Sequence, residues 1–415
     1  MRALPCASRA PALRVCASRR LRRDRRASAA RAAAPQRRPE NADGDFYVDD
    51  RCARSPRRSA VRNKRSHRRS LGLAFAVRCI DCDACRWIAP ATFARVGGLS
   101  AVVAQPPAAG GDGAAADERL RALQAMLACP TASIRSVTPP PDVRQAHASF
   151  PMAVHEAPGV CVFLRRSGRC ACVLTRVLCA ASRRYYLGFH SPKSFGAASY
   201  LVLRPEGNIM VDSPRFSLPL ARALTDFGGV RFVFLTHRDD VADAAAWAAH
   251  FGAQRVIHEA DVTSATADAE VKLAGSGPWA FPHGEPWAFP HGEQHAADVA
   301  AGGLRPAVSG DDALVLHVPG HTAGSCALLH RPSGSLFSGD TLAHSPGLGR
   351  LTIFRRFNWH SVEMQLEAVR GLLDHDWRHL LPGHGRRVHF TCKAAKDAAI
   401  KHLLSQEAEL EQGAR

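Results

Sequence analysis

Four cysteines constrain the N-terminal half of this chain more than any other feature. Cys79, Cys82 and Cys85 follow the pattern C-x2-C-x2-C, and Cys129 stands before a proline far downstream. A tight loop of this spacing places three thiolates around three corners of a cubane, and a Cys-Pro after a helix supplies the fourth. A structural zinc site would pair two C-x2-C knuckles, and the sequence has no second one. We therefore predict a [4Fe–4S] cluster on these four residues.

The residues around the cysteines resemble a known family. Apolar residues at helical spacing predict a helix over Asp117–Ala128 with Asp117 as its N-cap. This helix, the aromatic Phe93 after the loop and the Cys-Pro-Thr-x-Ser-Ile run from Cys129 resemble the single-cluster bacterial-type ferredoxins over roughly residues 74–136. The resemblance implies a small α+β ferredoxin-like domain, for which we expect residues 71–140, and a ferredoxin-type electron donor as a partner.

The positive charge is concentrated at the N-terminus. Residues 1–70 hold 21 Lys and Arg against 6 Asp and Glu, and the rest of the 415-residue chain is nearly neutral. The Ala- and Ser-rich basic block predicts an organelle transit peptide or disordered basic segment, with the chloroplast favoured over the mitochondrion. No aromatic residues interleave its arginines, which disfavours a nucleic-acid partner. No run of about 18 uncharged apolar residues predicts a membrane span.

Two other segments carry unusual sequence. Residues 141–189 are predicted to form a linker with a cysteine-rich insertion, for which a β-hairpin and a gene-model artefact remain alternatives. The octapeptide Pro278–Glu285 is repeated unchanged at Pro286–Glu293, and its Pro and Gly content predicts an irregular loop with solvated histidines. The cysteines of the insertion lack metal-site spacing; they are Cys161, Cys170, Cys172 and Cys179.

Between residues 190 and 392, predicted strands and helices alternate, and His and Asp follow the strand ends. In an α/β sheet the binding crevice lies at the edge formed by the carboxyl ends of the strands. Glycine precedes three of the side chains, in Gly-His321, Gly-Asp340 and Gly-His384. Imidazole and carboxylate are ligands of Zn, Mn and Fe. The candidate ligands to one or two divalent metals are His237, Asp239, Asp240, Asp243, His321, Asp340 and His384.

These motifs in this order resemble the metallo-β-lactamase superfamily over about residues 190–390. The resemblance implies an αββα sandwich with a metal pocket along one edge of its two sheets. It places His237, His321 and Asp340 at a first metal, with Asp340 able to bridge. It leaves Asp243 and His384 for a second metal and for catalysis.

The first motif departs from the family pattern Thr-His-x-His-x-Asp-His. Here the run after Thr236 is His-Arg-Asp-Asp-Val-Ala-Asp-Ala, so the second histidine becomes Asp239 or Asp240 and the last becomes Ala244. We expect at least one of these two aspartates only to cap the following helix. Carboxylate in place of imidazole shifts the preference from zinc toward Mn or Fe.

Three functions remain open at this point. We favour a metal-dependent hydrolase acting on a small-molecule ester, thioester or lactone. An alternative is a mononuclear non-haem iron oxygenase acting on a small thiol or persulfide, because His237, His321 and Asp340 match a facial triad. A third is a non-catalytic redox or electron-carrier module with a degenerate metal site, which Ala244 favours. Residues 393–415 are predicted to end the chain with a helix.

Overall fold

The computed structural model describes residues 37–49, 79–154, 184–284, 286–287 and 303–413. The cysteine-rich segment from Cys161 to Cys179 and most of the second octapeptide copy lie outside the described residues, as does most of the basic block. No helix in the described ranges has both the length and the apolar character needed to span a bilayer.

The cluster-bearing region is a small α+β unit. Its elements, in chain order, are β1 (Phe46–Val48), α1 (Ala84–Ile88), β2 (Phe93–Val96), β3 (Leu99–Val102), α2 (Gly113–Ala128) and β4 (Ile134–Ser136). Strand β1 pairs antiparallel with β4, and β2 pairs antiparallel with β3. The predicted ferredoxin-like α+β architecture is confirmed. Helix α2 begins four residues before Asp117, so the prediction of Asp117 as its N-cap was wrong.

Residues 37–49 also belong to this unit, which corrects the assignment of all of residues 1–70 to a basic leader. Phe46 and Val48 are each 1% exposed. The Asn41 side chain accepts hydrogen bonds of 3.0 Å from the backbone N–H groups of Val48 and Val102. Composition averaged over 70 residues hides this short strand, because its partner β4 lies about 90 residues downstream.

The C-terminal region contains two seven-stranded sheets. The first sheet has the order β11-β10-β9-β8-β7-β6-β5 and the second β13-β12-β14-β15-β16-β19-β20. The strands of the first are β5 (Met152–Ala153), β6 (Arg184–Tyr186), β7 (Tyr200–Val202), β8 (Ile209–Val211), β9 (Phe232–Phe234), β10 (Gln254–His258) and β11 (Val271–Leu273). The strands of the second are β12 (Trp279–Ala280), β13 (Arg305–Pro306), β14 (Ala313–His317), β15 (Cys326–His330), β16 (Ser335–Gly339), β19 (His379–Pro382) and β20 (Val388–His389), and a separate hairpin joins β17 (Ala343–Ser345) to β18 (Arg350–Thr352).

Successive side chains along the strands of the second sheet pack in two different cores, which shows that both faces of the sheet are covered. In β15, Leu328 packs in the core between the sheets and Leu329 in a second core outside them. Successive strand residues point to opposite faces, so both faces must be buried. Helices cover the outer faces: α4 (Leu218–Asp226) and α5 (Ala244–Phe251) on the first sheet, α6 (Val362–Gly371) and α7 (Lys393–Gly413) on the second. The predicted αββα sandwich is confirmed.

The segment predicted as a linker contributes to both regions. Helix α3 (Val143–Ala148), the edge strand β5 and its neighbour β6 lie within residues 141–189. One apolar core runs without interruption from Leu123 in α2 to Phe232 in β9. The cluster region is therefore packed onto the first sheet and is not merely tethered to it.

Candidate metal centres

The four predicted cluster cysteines lie around one cavity. Cys79, Cys82, Cys85 and Cys129 all line this cavity, and all four are free thiols. Asp81 and Asp83 adopt left-handed φ angles of 57° and 66°, which curl the loop around the cavity. The structure thus brings together all four residues that the spacing predicted.

The thiols fit a metal cluster because they lie close to one another and two of them, those of Cys85 and Cys129, belong to buried residues. Burial raises the pKa of the Cys85 thiol to about 12. Burial, and then the nearby Cys129, also raise the pKa of Cys82. Buried thiolates need a cation, and cluster iron displaces their protons on binding. The Ser133 N–H donates to Cys129 Sγ at 3.3 Å, a contact of the kind that tunes a cluster.

A fork of ion pairs fixes the cluster loop. Arg86 donates to Asp83 Oδ1 through Nε at 2.6 Å and to Asp81 Oδ1 through Nη1 at 2.5 Å. Arg86 Nη1 also donates to Ser100 Oγ at 2.8 Å. The loop is therefore held by side chains of this chain before any metal binds.

Six predicted ligands converge in a second pocket between the two sheets. Each of these residues follows the C-terminal end of a strand. These strand ends lie at the same edge of the sandwich, where the two sheets meet. The ligands are His237, Asp239 and Asp240 after β9, His321 after β14, Asp340 after β16, and His384 after β19. The Cys326 N–H donates to Thr236 O at 2.8 Å and joins the sheets beside this group.

Four of the side chains form a first cation position. His321 Nε2 lies 3.6 Å from Asp239 Oδ2 and 3.7 Å from Asp340 Oδ2. His237 Nε2 lies 4.0 Å and 3.9 Å from the same two oxygens. Tetrahedral ligands at zinc bond lengths are separated by roughly 3.3–3.6 Å. Small side-chain movements would close this set around one cation.

The remaining ligands form a second position that shares Asp340. His384 Nε2 lies 3.9 Å from Asp240 Oδ1 and 3.9 Å from Asp340 Oδ2. Because Asp340 Oδ2 also faces both histidines of the first position, it can bridge two cations. The structure brings both Asp239 and Asp240 to the pocket; helix α5 starts only at Ala244, and neither aspartate caps it.

The polar atoms of this pocket fit a metal because they lack other partners. Six buried atoms have no hydrogen-bond partner in the described residues: His237 Nε2, both ring nitrogens of His321, both carboxylate oxygens of Asp240 and Asp340 Oδ1. Such groups are costly when left unpaired. Burial raises the pKa of Asp240 well above its usual value, and it lowers the pKa of His237 to about 4. A neutral imidazole beside crowded carboxyls is a donor set that a divalent cation satisfies.

A hydrogen-bond chain orients the first histidine. The Thr236 hydroxyl donates to the Asp212 carboxylate at 3.0 Å, so its oxygen can accept from His237 Nδ1, also 3.0 Å away. That tautomer leaves Nε2 with a free lone pair facing the pocket. Burial raises the pKa of Asp212 to about 7, although the hydrogen bonds from Thr236 oppose it.

Glycines let the ligand loops approach one another. A Cβ on Gly383 would lie 2.9 Å from Asp240 Oδ2 and 3.1 Å from Asp340 Oδ1. Gly339 has φ 49°, and a Cβ there would lie 2.4 Å from Thr236 Oγ1. The glycines before the ligands are thus required by close packing.

The structure does not bring Asp243 to this group. Its carboxylate accepts from Lys193 Nζ at 2.6 Å and from the Phe216 N–H at 2.9 Å. It belongs to none of the clusters of metal-ligand atoms in the described residues. Ala242, with φ 41°, turns the chain between Asp240 and Asp243. Asp240 takes the place beside His384 that the family resemblance gave to Asp243.

Sequence reasoning missed two side chains that hold the ligand loops. Asp261 accepts from the Arg238 N–H at 3.0 Å and from the Thr322 hydroxyl at 2.5 Å, and so ties the loops of two ligands. Gln365 Nε2 donates to Asp340 O at 3.1 Å. Asp261 follows β10 as the ligands follow their strands, and this was the one available signal. Gln365 lies in α6, and nothing in the sequence marks it.

A third group of ligand-type side chains involves the first octapeptide copy. His283 Nδ1 lies 3.4 Å from Glu206 Oε1 and 3.6 Å from Asp312 Oδ1. The fully buried Arg204 donates to Asp312 Oδ1 at 2.6 Å and lies 3.5 Å from Glu206 Oε2. Because Arg204 already supplies the cation, this group is an ion-pair network.

Residues 76–136 match the family described as the 4Fe-4S single cluster domain of Ferredoxin I. This confirms the predicted iron–sulfur domain. Among curated proteins, none matches the chain.

The solved structures that this chain resembles include several metallo-β-lactamases. The one from Pontibacter korlensis is 16% identical, with 53% of this chain and 95% of that chain covered and a TM-score of 0.34. The one from Erythrobacter litoralis is 14% identical, with 50% and 81% covered and a TM-score of 0.33. The one from Hirschia baltica is 11% identical, with 49% and 85% covered and a TM-score of 0.35. The sheet topology and the order of the motifs, and not these scores, identify the sandwich.

Proposed function

We propose that this protein is a metal-dependent hydrolase with a two-cation pocket, acting on a small ester, thioester or lactone. The observation that carries the proposal is the position of Asp340, whose Oδ2 lies 3.7–3.9 Å from the imidazoles of His237, His321 and His384. A carboxylate shared in this way suits paired metals, which occur in hydrolytic sites. Zinc, iron and manganese all suit the donor set.

Metals held there would acidify water and withdraw charge from a carbonyl oxygen. The chain's own residues decide where a substrate arrives. The side chains of Asp239 and His384 are 29% and 23% exposed, whereas His237 and His321 are at most 2% exposed. A substrate therefore approaches from the side of Asp239 and His384. The buried side chains of His237, His321 and Asp240 would hold the cations on the side of the pocket away from solvent.

Aromatic side chains beside the pocket support an acyl substrate. The Phe354 ring lies 6.3 Å from the His384 ring, and the backbone N–H of Trp359 donates to the backbone carbonyl of His321 at 2.8 Å. Trp359 is 58% exposed. An apolar rim around a few polar groups is typical of small-molecule sites. The nearly neutral charge after residue 70 gives no support to a nucleic-acid substrate.

The oxygenase is less well supported. A facial triad keeps open positions for substrate and oxygen. Here Asp239 Oδ2 lies 3.6 Å from His321 Nε2 and would supply a fourth ligand at the same position. Oxygen uptake with a thiol or persulfide substrate would nevertheless be a direct sign of that chemistry.

The test is turnover of a panel of esters, thioesters and lactones by anaerobically purified full-length protein loaded with zinc, manganese or iron. We expect hydrolysis that is lost on chelation and in His321→Ala, and that persists without oxygen. Oxygen-dependent loss of a thiol or persulfide without ester cleavage would replace the hydrolase with the oxygenase. No turnover under any metal would favour the non-catalytic module.

We also propose that residues before Arg37 form a transit peptide directing the protein to the chloroplast. The proposal is supported by the Ala-, Ser- and Arg-rich composition of that segment. A fluorescent fusion of residues 1–36 should accumulate in plastids. Accumulation in mitochondria would support the alternative organelle.

A further inference from the structure

The iron–sulfur region and the histidine–aspartate pocket share one wall, a short segment between β6 and β7. A Cβ on Gly196 would lie 3.0 Å from Cys82 Cβ and 3.4 Å from Cys82 Sγ. Two residues later, the Ala198 N–H donates to Gly383 O at 2.7 Å. Gly383 directly precedes the pocket ligand His384. Three residues of backbone therefore connect a cluster ligand with the loop of a pocket ligand.

An ion pair crosses the same boundary. Arg386 donates to Asp83 Oδ2 through Nε at 2.7 Å and to Oδ1 through Nη2 at 3.3 Å. Asp83 follows Cys82, and Arg386 stands two residues after His384. The Asp83 side chain is only 14% exposed, so solvent screens this pair less than a surface pair. The pair is a second, independent link between the two ligand loops.

Aromatic and cation–π packing forms a third contact across the boundary. The Arg387 guanidinium lies 4.4 Å from the Trp87 ring centre and 5.3 Å from that of Tyr186. The Trp87 and Tyr186 rings meet edge to face at 4.9 Å. Trp87 lies two residues after Cys85 in α1, so the helix that carries a cluster ligand is clamped onto the first sheet. Helix α1 and the segment that follows His384 are therefore in direct contact at this boundary.

We propose that the charge of the cluster and the metal occupancy of the pocket are thermodynamically coupled across this boundary, with the Asp83–Arg386 ion pair as the main link. One-electron reduction takes [4Fe–4S]²⁺ to [4Fe–4S]⁺, with the electron supplied by a one-electron donor of the ferredoxin class. No bond forms or breaks. The proposal requires a metal in the pocket, but it does not depend on hydrolysis.

The sign of the coupling follows from charge. Reduction adds one negative charge beside Cys82, and a divalent cation near His384 stabilises it. Metal in the pocket therefore raises the reduction potential of the cluster. Linkage requires the converse, so the reduced cluster binds pocket metal more tightly by the same factor. We expect a factor of about 5–10, the lower end of typical couplings. A tenfold factor is about 59 mV for a one-electron couple.

The test is a redox titration of the cluster, followed by electron paramagnetic resonance, in full-length anaerobic protein. Zinc is the probe because it takes no electron itself. The potential is measured with the pocket emptied by a chelator and again with zinc bound. We expect a higher potential with zinc, and no change on adding zinc to Asp340→Ala, which lacks the carboxylate shared by both cation positions. An unchanged potential in the unmodified protein would overturn the proposal.

A matched pair of variants tests the link itself. Arg386→Ala breaks the boundary ion pair. Arg305→Ala breaks a comparable ion pair, that of Arg305 with Asp311. Arg305 lies in β13, at the edge of the second sheet opposite to β19 and β20. The two arginine side chains are 36% and 43% exposed. We expect the zinc-dependent shift in reduction potential to fall to less than half of its size in Arg386→Ala and to stay unchanged in Arg305→Ala.

An equal shift in Arg386→Ala would overturn the assignment of the coupling to this ion pair. Arg386→Gln breaks the same ion pair with a side chain closer in length, and it serves if Arg386→Ala does not fold. Iron and acid-labile sulfide are measured in every variant, so that loss of the cluster is not read as loss of coupling. A failure of ester hydrolysis would leave these potentials unaffected, which separates this proposal from the hydrolase.

Discussion

Oδ1 of Asp240 lies 3.9 Å from Nε2 of His384, in a pocket where neither Asp240 oxygen has a hydrogen-bond partner among the described residues. Asp243, three residues on, instead accepts from Lys193 and from the Phe216 backbone. Two aspartates of one short run thus have different tasks. Asp240 faces the cation pocket, and Asp243 joins the start of α5 to Lys193 and to the backbone of Phe216.

Asp240→Asn and Asp243→Asn should separate these tasks. We expect Asp240→Asn to weaken metal binding by more than the roughly 10–100-fold that outer partners contribute. Asp243→Asn should bind metal as the unmodified protein does. Metal content of the purified variants and calorimetric zinc titration measure both effects. Normal zinc binding by Asp240→Asn would contradict this assignment of ligands.

Zinc should stabilise the folded protein through the pocket. Filling the site relieves the repulsion among buried carboxyls, and zinc at 100 times its Kd adds about 2.7 kcal/mol. Thermal unfolding with and without zinc should show a higher Tm with the metal. His321→Ala should show a smaller rise in Tm, because His321 contributes to the first position. An equal rise in Tm for His321→Ala would place the stabilising zinc elsewhere.

Thr236 should act through its hydroxyl. Thr236→Val removes the hydrogen bonds to Asp212 and His237 at nearly constant volume, and we expect about 10–100-fold weaker metal binding. Thr236→Ser keeps the hydroxyl and should bind nearly as the unmodified protein does. Zinc titration of both variants makes the comparison. Equal weakening in the two would mean that the Thr236 methyl group matters and its hydroxyl does not.

Cluster assembly should depend on Cys129 and not on Cys326, which is also buried. Cys129 lines the cavity with the other three thiols, whereas Cys326 lies in the core between the sheets. Cys129→Ala should lose most of the iron and acid-labile sulfide. Cys326→Ala should retain both, at a modest cost in stability. Retention of a full cluster in Cys129→Ala would require a different fourth ligand.

His190 should make the fold sensitive to mild acid. Its Nδ1 contacts Gly196 O at 2.6 Å, and burial lowers its pKa from 6.5 to about 4. Between these values the unfolded chain binds a proton that the folded protein does not, so stability is full above pH 6.5 and is lost as the pH falls toward 4. Urea unfolding should show a loss of about 2 kcal/mol by pH 5 from this group. His190→Gln should lack this part of the pH dependence, and an unchanged dependence would contradict it.

Local spacing was enough to predict the cluster. Three cysteines within seven residues leave a loop few geometries, so Cys79, Cys82 and Cys85 could be assigned without the fold. The strand-end rule likewise identified His237, His321, Asp340 and His384, because side chains at the carboxyl ends of strands meet at one edge of a sheet. In both cases the residues that carry the chemistry could be identified from short segments of the chain.

Contacts between distant segments could not be read in this way. Strand β1 pairs with β4 across about 90 residues, so a basic composition hid it. The choice of Asp240 over Asp243 depends on the left-handed turn at Ala242 and on the close approach of Gly383. A family pattern fixes the order of ligands along the chain, but it does not fix the direction in which a side chain points after an insertion.

The sequence by itself therefore predicted the two kinds of inorganic site, from the spacing of the cysteines and from the His and Asp residues that follow strands. The type of sandwich that carries the second site came from the resemblance of its ordered motifs to a known family. Only the tertiary structure decided which carboxylates share the pocket and that Cys82 and His384 stand on opposite sides of one wall. These relations depend on the packing of loops from both sheets against the cluster region, and no single segment of the chain encodes that packing.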